Sequence, residues 1–160
     1  MQDESILLKQ LKSNKSKEQA FKELVSEYKE RLYWHIRYIV KSHDDADDVL
    51  QNTFIKVFKN IDRFNGDSKI YSWMYRIATN ESITHINKNA NRLQISNEET
   101  QELAINSLTA DVYFEGDDIQ LKLQQAIAIL PQKQQLVFNM KYFQDIKYKD
   151  MSEILETSEG

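Results

Sequence analysis

Glycine and proline are scarce in this sequence, and their scarcity limits the folds that the chain can adopt. Among 160 residues there are three glycines, Gly66, Gly116 and Gly160, and one proline, Pro131. A β-sheet of this size needs several tight turns, and tight turns draw heavily on these two residue types. The chain is therefore predicted to be all-α, with Gly66, Gly116 and Pro131 at the boundaries of helices.

Length and residue content predict a small protein of the cytoplasm. A chain of 160 residues forms one domain or two small ones, and its 41% of hydrophobic residues suffices for a core. No stretch approaches the roughly 18 apolar residues of a membrane span, and no apolar run follows the acidic N-terminus as in a secretory signal. The chain has no cysteine, which excludes disulfides, thiolate nucleophiles and cysteine-ligated zinc.

Charge is distributed unevenly beneath the net charge of −4. Residues 1–92 carry 16 basic and 13 acidic residues, whereas residues 93–120 carry seven acidic residues and no basic one. Residues 121–160 carry five of each. The pattern predicts two small helical domains, residues 1–92 and 118–160, joined by an acidic linker over 93–117.

The spacing of apolar residues predicts six helices. Asp44 or Asp45 is expected to cap the second helix, and Asp67 or Ser68 the third. Pro131 is expected in the first turn of the fifth helix, where its missing N–H costs nothing. The predicted helices cover residues 17–41, 45–63, 69–90, 118–129, 132–143 and 147–156.

The helix over 45–63 has two contrasting sides. One is an apolar stripe expected to face the core: Ala46, Leu50, Phe54, Val57 and Ile61. The other is polar around one isoleucine: Asp48, Gln51, Asn52, Ile55 and Lys59. An apolar centre with a polar rim suits a partner surface, although a merely solvated face fits the same pattern.

The helix over 69–90 and the loop before it are candidates for nucleic-acid contact. Residues 69–92 contain four basic residues and a single acidic one, with short amides and aromatic rings between them. Amides pair with base edges, cations hold phosphates and aromatic faces stack on unpaired bases. The alternative is that Tyr71, Trp73 and Tyr75 are ordinary core and rim aromatics.

The C-terminal helix over 147–156, followed by residues 157–160, looks like the first helix and turn of a helix-turn-helix unit. A recognition helix is expected next, but the chain stops at Gly160. The apolar face of this helix is expected to leave the C-terminal domain loose or paired with another chain.

No constellation of residues indicates catalysis or a bound metal or other cofactor. The acidic run over 44–48 formally fits a magnesium motif but lacks the second acidic motif, and a capped helix start explains it better. His35, His43 and His85 are too scattered for a zinc site.

Two blocks of the sequence contain long ordered motifs. The first comprises DADDVLQNTFIKVF over 45–58, FNGDS over 64–68 and YSWMYRIATN over 71–80, and the second comprises LPQKQQLVF over 130–138 and YFQDIKYKDMSEIL over 142–155. These blocks resemble bacterial sigma factors, above all the extracytoplasmic-function (ECF) class, the first block resembling conserved region two and the second the start of region four. The resemblance implies a region-two helical bundle and an incomplete region-four helix-turn-helix domain, truncated before its recognition helix.

The resemblance also implies a surface for core RNA polymerase. In the family, the region-two helix that matches residues 45–63 docks on the clamp coiled coil of the polymerase largest subunit. The matching residues here are Asp45, Asp48, Gln51, Asn52 and Ile55. Since the family often has glutamate where this chain has Asn52, one charge contact is expected to be absent.

Promoter DNA is the second implied partner. The loop over 64–70 resembles the family's loop that captures a flipped base of the minus-ten element, and the following helix faces the promoter. Trp73 matches as well, although its side of the helix favours the core. The implied DNA-binding residues are Phe64, Asn65, Asp67, Ser68, Lys69, Tyr71, Arg76, Asn80, Asn87 and Lys88.

The implied function is promoter recognition and melting without covalent chemistry, as a subunit of the polymerase and not as an enzyme. The class often has an anti-sigma partner, and the acidic linker resembles the segment that occupies the polymerase cleft. Without a recognition helix, little affinity for a minus-thirty-five element is expected. Two other readings stay open: a helix-turn-helix regulator that binds duplex DNA alone, and a helical module that binds polymerase or a regulator without initiating transcription.

Overall fold

The computed structural model describes residues 3–94, 96–109 and 117–159, and every regular element in these ranges is a helix. The prediction of an all-α chain is confirmed. The single turn of 3₁₀-helix over Ile61–Arg63 follows α3 directly. The α-helices are α1 (Glu4–Leu11), α2 (Lys17–Val40), α3 (His43–Asn60), α4 (Ile70–Leu93), α5 (Asn97–Thr109), α6 (Asp118–Ala128), α7 (Gln132–Tyr142) and α8 (Tyr148–Leu155).

The helices α2, α3 and α4 form the central bundle. Each pair among them is in contact, and α1 packs against α2. Their buried faces follow the predicted three- and four-residue spacing. Because these side chains are shielded from water, each large one contributes roughly 1.5–3 kcal/mol to folding. The least exposed members of this core include Leu24, Leu32, Ile36, Val57, Ile70 and Met74.

Two helix starts differ from the prediction. Ser42, not Asp44 or Asp45, is the N-cap of α3, and its side chain accepts a hydrogen bond from the Asp45 N–H at 3.4 Å. Helix α4 begins one residue after Lys69, so neither Asp67 nor Ser68 caps it. Its first N–H is instead satisfied from a distance, because Ile70 N donates to Glu4 Oε1 of α1 at 2.7 Å.

Two helices were not predicted at all, α1 and α5. Helix α5 lies inside the segment expected to be a linker, and Leu108 packs there against Ala128 of α6. Pro131 lies just before α7 as its N-cap residue, one position earlier than expected. Gly66 has a φ of +84°, in agreement with its predicted loop, whereas Gly116 and Gly160 lie outside the described residues.

The C-terminal helices share the core of the bundle, so the expectation of a loose or paired C-terminal domain is wrong. Met140 of α7 and Ile154 of α8 are buried in the same apolar cluster as the α2–α4 side chains. Helix α8 packs on α4, and α7 packs on α2. The apolar face of α8 is therefore covered by the chain itself.

Candidate nucleic-acid and protein interfaces

The polar face of α3 points away from the bundle. Val49 and Val57 are buried and fix the rotation of the helix, so the opposite side faces solvent. Asp48, Gln51 and Asn52 are exposed there, and Ile55 is 49% exposed between them. The structure thus brings four of the five residues predicted to bind polymerase onto one accessible surface.

Asp45, the fifth residue, is half-buried and already engaged within the bundle. Its carboxylate lies 2.9 Å from Nε2 of His85 on α4. Asn89 on the next turn of α4 contacts the same imidazole nitrogen at 3.0 Å. Asp45 therefore lies at the edge of the exposed face and connects α3 to α4.

The loop between the 3₁₀ turn and α4 is held from both sides. The Phe64 ring is buried, with its centroid 5.0 Å from that of Trp73, and the Phe64 carbonyl accepts a hydrogen bond from Lys12 Nζ at 2.5 Å. Asn65 Nδ2 donates to Asp67 Oδ2 at 2.5 Å across the loop tip. Asn65 and Asp67 are exposed and Ser68 is half-buried. The loop therefore presents polar groups to solvent above the packed rings of Phe64 and Trp73.

A small depression of about 300 Å³ opens beside this loop. Trp73 forms part of its wall and is half-buried, in agreement with its predicted position toward the core. The sequence analysis did not predict this depression. Its basic and amide side chains lie on α3 and the 3₁₀ turn, and only the crossing of α3 and α4 brings them next to Trp73. The other lining residues are Lys56, Asn60, Arg63 and Ile77.

The residues predicted to bind DNA on α4 and at its N-cap fall into two groups. Asn80, Asn87 and Lys88 are exposed along the outer side of the helix. The others, Lys69, Tyr71 and Arg76, are met by acidic side chains of α8 and the residue after it.

One carboxylate of α8 holds two of these residues. The Tyr71 hydroxyl donates a hydrogen bond to Asp150 Oδ2, and Lys69 Nζ lies 3.3 Å from Asp150 Oδ1. Burial, reinforced by the hydrogen bond to Asp150, raises the pKa of Tyr71 and keeps the phenol protonated as a donor. Sequence reasoning did not single out Asp150, because 79 residues separate it from Tyr71 and no local pattern marks the contact.

Arg76 makes a second contact of this kind. Its Nη1 lies 3.3 Å from Oε1 of Glu156, the C-terminal cap residue of α8. Both side chains are partly accessible, so this pair contributes little stability by itself.

A buried histidine joins the bundle to the loop before α8. His35 Nε2 lies 2.7 Å from Thr79 Oγ1, and Thr79 Oγ1 donates to the Tyr75 carbonyl. Gln144 Nε2 lies 3.2 Å from the other ring nitrogen, which assigns the proton to Nε2. Burial lowers the pKa of His35 to about 4, against the opposing effect of Gln144, so the ring is neutral at pH 7.

A larger cavity of about 590 Å³ lies between the bundle and the C-terminal helices. Val40 and Ile86 line it from the bundle, and Leu130 and Leu136 line it from the α6–α7 region. None of the helices in the described parts of the chain combines the length and the apolar composition that a membrane span requires. Among the same residues, no group of three acidic or histidine side chains is placed to hold a metal ion.

Comparison with known proteins identifies both halves of the chain. The family model for Sigma-70 region 2 matches residues 24–92, and the model for Sigma-70, region 4, matches residues 120–160. The ECF RNA polymerase sigma factor SigW of Bacillus subtilis is 31% identical over 166 aligned positions, which cover 98% of this chain and 89% of SigW. The chain belongs to the ECF sigma factors. This confirms the resemblance in both blocks and a function in transcription initiation without enzymatic activity.

A second ECF relative and one solved structure are also similar to this chain. The sigma-E factor of Haemophilus influenzae is 28% identical, over 88% of this sigma factor and 78% of its own length. The solved structure of CnrH in complex with the cytosolic domain of CnrY superposes with a TM-score of 0.68 at 20% identity. It covers 96% of this chain and 83% of CnrH, and it supports the all-α fold.

Proposed function

We propose that the exposed face of α3 binds core RNA polymerase while the loop over 64–69 and the α4 side chains Tyr71, Arg76, Asn80, Asn87 and Lys88 bind the promoter minus-ten element. The observation that carries this proposal is the coexistence of two distinct polar surfaces on one rigid bundle. One surface is acidic and amide-rich around Ile55, and the other is basic, amide-rich and aromatic. A sigma factor needs one surface for each of its two partners, polymerase and promoter DNA.

The α3 face has the composition of a protein-docking surface. Ile55 supplies an apolar centre, and Asp48, Gln51 and Asn52 supply the hydrogen-bonding rim. Because α3 packs on both α2 and α4, its outer face is presented in one orientation. We propose that its target is the clamp coiled coil of the largest polymerase subunit, with Asp45 at the edge of the contact.

The loop and α4 have the chemistry for unpaired DNA. Asn65, Asp67 and Ser68 offer hydrogen bonds to a base edge, above the buried rings of Phe64 and Trp73. Lys88 and Asn87 lie further along the same helix and suit the phosphate backbone. Capture of a flipped base there would offset the few kcal/mol that unpairing costs.

For the rest of the chain we propose the domain plan that was predicted from the sequence. Residues 1–92 act as region two and residues 118–160 as part of region four. The acidic segment 93–117 lies in the cationic cleft of the polymerase. The complex works in the cytoplasm, where polymerase and promoter meet.

An anti-sigma factor is a third proposed partner. CnrH, the structural relative, was solved with the cytosolic domain of CnrY. In this chain the cavity of about 590 Å³ between the bundle and the C-terminal helices is lined by apolar side chains from both parts, with polar side chains among them. We propose this cavity as the place where such a regulator would hold the two parts together.

The first experiment measures the affinity of the 160-residue chain for bacterial core RNA polymerase. The variant Asp48→Ala/Gln51→Ala is expected to raise the Kd about tenfold, equivalent to about 1.4 kcal/mol. The matched control is Glu18→Ala/Gln19→Ala, which removes one carboxylate and one amide from the exposed start of α2. Equal affinities for both double variants would place the docking surface elsewhere.

The second experiment tests promoter recognition. Core polymerase with this chain is incubated with a pool of randomised promoters, and the templates that give transcripts are sequenced. Transcription that requires both components, with a selected minus-ten sequence, supports the proposal. Specific duplex binding without polymerase would indicate a stand-alone regulator, and polymerase binding without transcripts would indicate an interaction module.

A further inference from the structure

Helix α8 lies across part of the α4 surface that we propose to meet promoter DNA. Asp150, only 5% exposed, accepts the Tyr71 hydrogen bond and contacts Lys69. Glu156 contacts Arg76, which lies five residues after Tyr71 on α4. Two carboxylates therefore engage three of the side chains proposed to bind the minus-ten element.

The contact does not depend on these polar pairs alone. Met151 and Ile154 are 3% and 1% exposed, and both belong to the apolar cluster that continues into the bundle. Exposed ion pairs contribute little, but buried apolar side chains fix the position of a helix. The apolar contacts and the buried pair of Asp150 with Tyr71 thus hold α8 in place together, and Glu156 is presented to α4 as a consequence.

The two carboxylates use the chemistry that a nucleic-acid strand would use. A phosphate accepts hydrogen bonds from ammonium, guanidinium and hydroxyl groups, and a carboxylate accepts from the same donors. Lys69, Arg76 and Tyr71 have one such donor group each. A DNA strand and α8 therefore compete for the same donors, and both cannot occupy the same part of α4.

We propose that α8 is an intramolecular inhibitor of minus-ten binding: while docked, it engages Lys69, Tyr71 and Arg76 through Asp150 and Glu156, and DNA binds only after it undocks. This inference rests on the function proposed for those three residues. DNA binding and docking of α8 are then alternative states of one chain, and the apparent DNA affinity scales with the undocked fraction.

The test compares two double variants with the same charge change. Asp150→Asn/Glu156→Gln neutralises the two covering carboxylates, and Asp145→Asn/Glu159→Gln neutralises two exposed acidic residues that do not touch α4. The probe is a fluorescein-labelled single strand with the minus-ten sequence selected in the transcription experiment, and the readout is anisotropy without polymerase. The first variant is expected to bind about tenfold more tightly than the second. Equal binding would overturn the proposal.

A second variant tests undocking directly. Met151→Glu places a charge in the apolar contact and is expected to release α8. Because the chain has no cysteine, Ser26→Cys/Thr157→Cys introduces two unique sites for nitroxide labels, one on α2 and one just after α8. The labels are expected to give one narrow distance distribution in the parent chain and a broad one in the Met151→Glu variant.

The distance and binding measurements are read together. A broad distribution with tighter DNA binding supports the proposal, whereas a broad distribution with unchanged binding contradicts it. A distribution that is already broad in the parent chain also contradicts it. If the parent chain gives no polymerase-dependent transcription, the proposed function fails. That result is distinct from the binding and distance results that would contradict inhibition by α8.

Discussion

His35 shows how one buried side chain links the stability of the bundle to pH. The ring is enclosed between Thr79, Gln144 and the Tyr75 ring, whose centroid lies 4.7 Å away, and burial lowers its pKa to about 4. In the unfolded chain the pKa of histidine returns to about 6.5. The unfolded state therefore binds a proton that the folded state excludes, and the stability present above pH 6.5 is lost as the pH falls toward 4.

This dependence predicts a specific result for His35→Gln. The parent chain is expected to lose about 3 kcal/mol more of its free energy of unfolding between pH 7 and pH 4 than the variant does. Glutamine retains hydrogen-bonding groups but does not titrate. The measurement is urea denaturation at both pH values, with His43→Gln as the exposed control. Identical pH profiles for the parent and His35→Gln would contradict the burial of a neutral ring.

Single residues also show where local patterns stop being informative. Asp48, Gln51, Asn52 and Ile55 were placed on one face from their spacing alone, and the structure shows that face exposed. Phe64 was placed in the same binding pocket as Asn65, but its ring is buried against Trp73. Helical spacing fixes the side of a helix, whereas the orientation of a loop side chain depends on contacts with distant residues.

Helix α1 shows how an element missed by sequence reasoning supports one that was found. Glu4 accepts the hydrogen bond of Ile70 N and so replaces the side-chain cap that α4 lacks locally. A capping contact of this type is worth about 1 kcal/mol.

Glu4→Ala is therefore expected to lower the free energy of unfolding by about 1 kcal/mol, because the first N–H of α4 then loses its acceptor. Glu4→Gln keeps an amide oxygen at the same place and is expected to lose less. Chemical denaturation followed by circular dichroism measures both. If Glu4→Ala and Glu4→Gln are equally stable, the interhelical cap contributes nothing.

At the scale of elements, the sequence predicted six of the eight α-helices of the described residues, including the eight-residue α8, and missed α1 and the thirteen-residue α5. The six predicted helices all exist, with ends displaced by at most a few residues. Helix α5 was missed because its acidic composition indicated a solvated linker, and its packing on α6 depends on few apolar residues such as Leu108. The caps of α3 and α4 were misassigned. At α3, Asp44 and Asp45 are equally plausible cap residues beside Ser42, and at α4 the acceptor Glu4 is distant in sequence, so Asp67 and Ser68 were chosen instead.

At the scale of the molecule, the largest apolar cluster within the described residues joins the bundle to α7 and α8. The sequence predicted two units with a linker because charge, not packing, was the visible signal. Contacts such as Tyr38 with Phe143, whose stacked rings are 4.8 Å apart, link residues that are far apart in the chain. No periodicity within a single helix predicts such a contact.

A shared core predicts coupled unfolding. Ile154→Ala is expected to destabilise the whole chain by about 2–5 kcal/mol, because it leaves a cavity in the common cluster. Ile129→Ala removes the same atoms from a 65% exposed position and is expected to change little. Tryptophan fluorescence reports on the bundle, and a label at Thr157→Cys reports on the C-terminal end.

Both probes are expected to follow one transition with the same midpoint. If the signal of the label changes at a lower denaturant concentration than tryptophan fluorescence does, the C-terminal helices unfold before the bundle. The shared core would then not unfold as one cooperative unit.

The closure of α8 over α4 also has a consequence for how such a chain behaves among chromosomal DNA. A genome offers about 10⁶–10⁹ non-specific sites, and any accessible cationic surface is attracted to them by the release of counterions. With Lys69 and Arg76 already satisfied by carboxylates, the unassembled chain would release fewer counterions on contact and spend less time on irrelevant sequence. Non-specific binding to chromosomal DNA would then sequester little of this sigma factor. More of it would be available to bind core polymerase that carries no sigma factor.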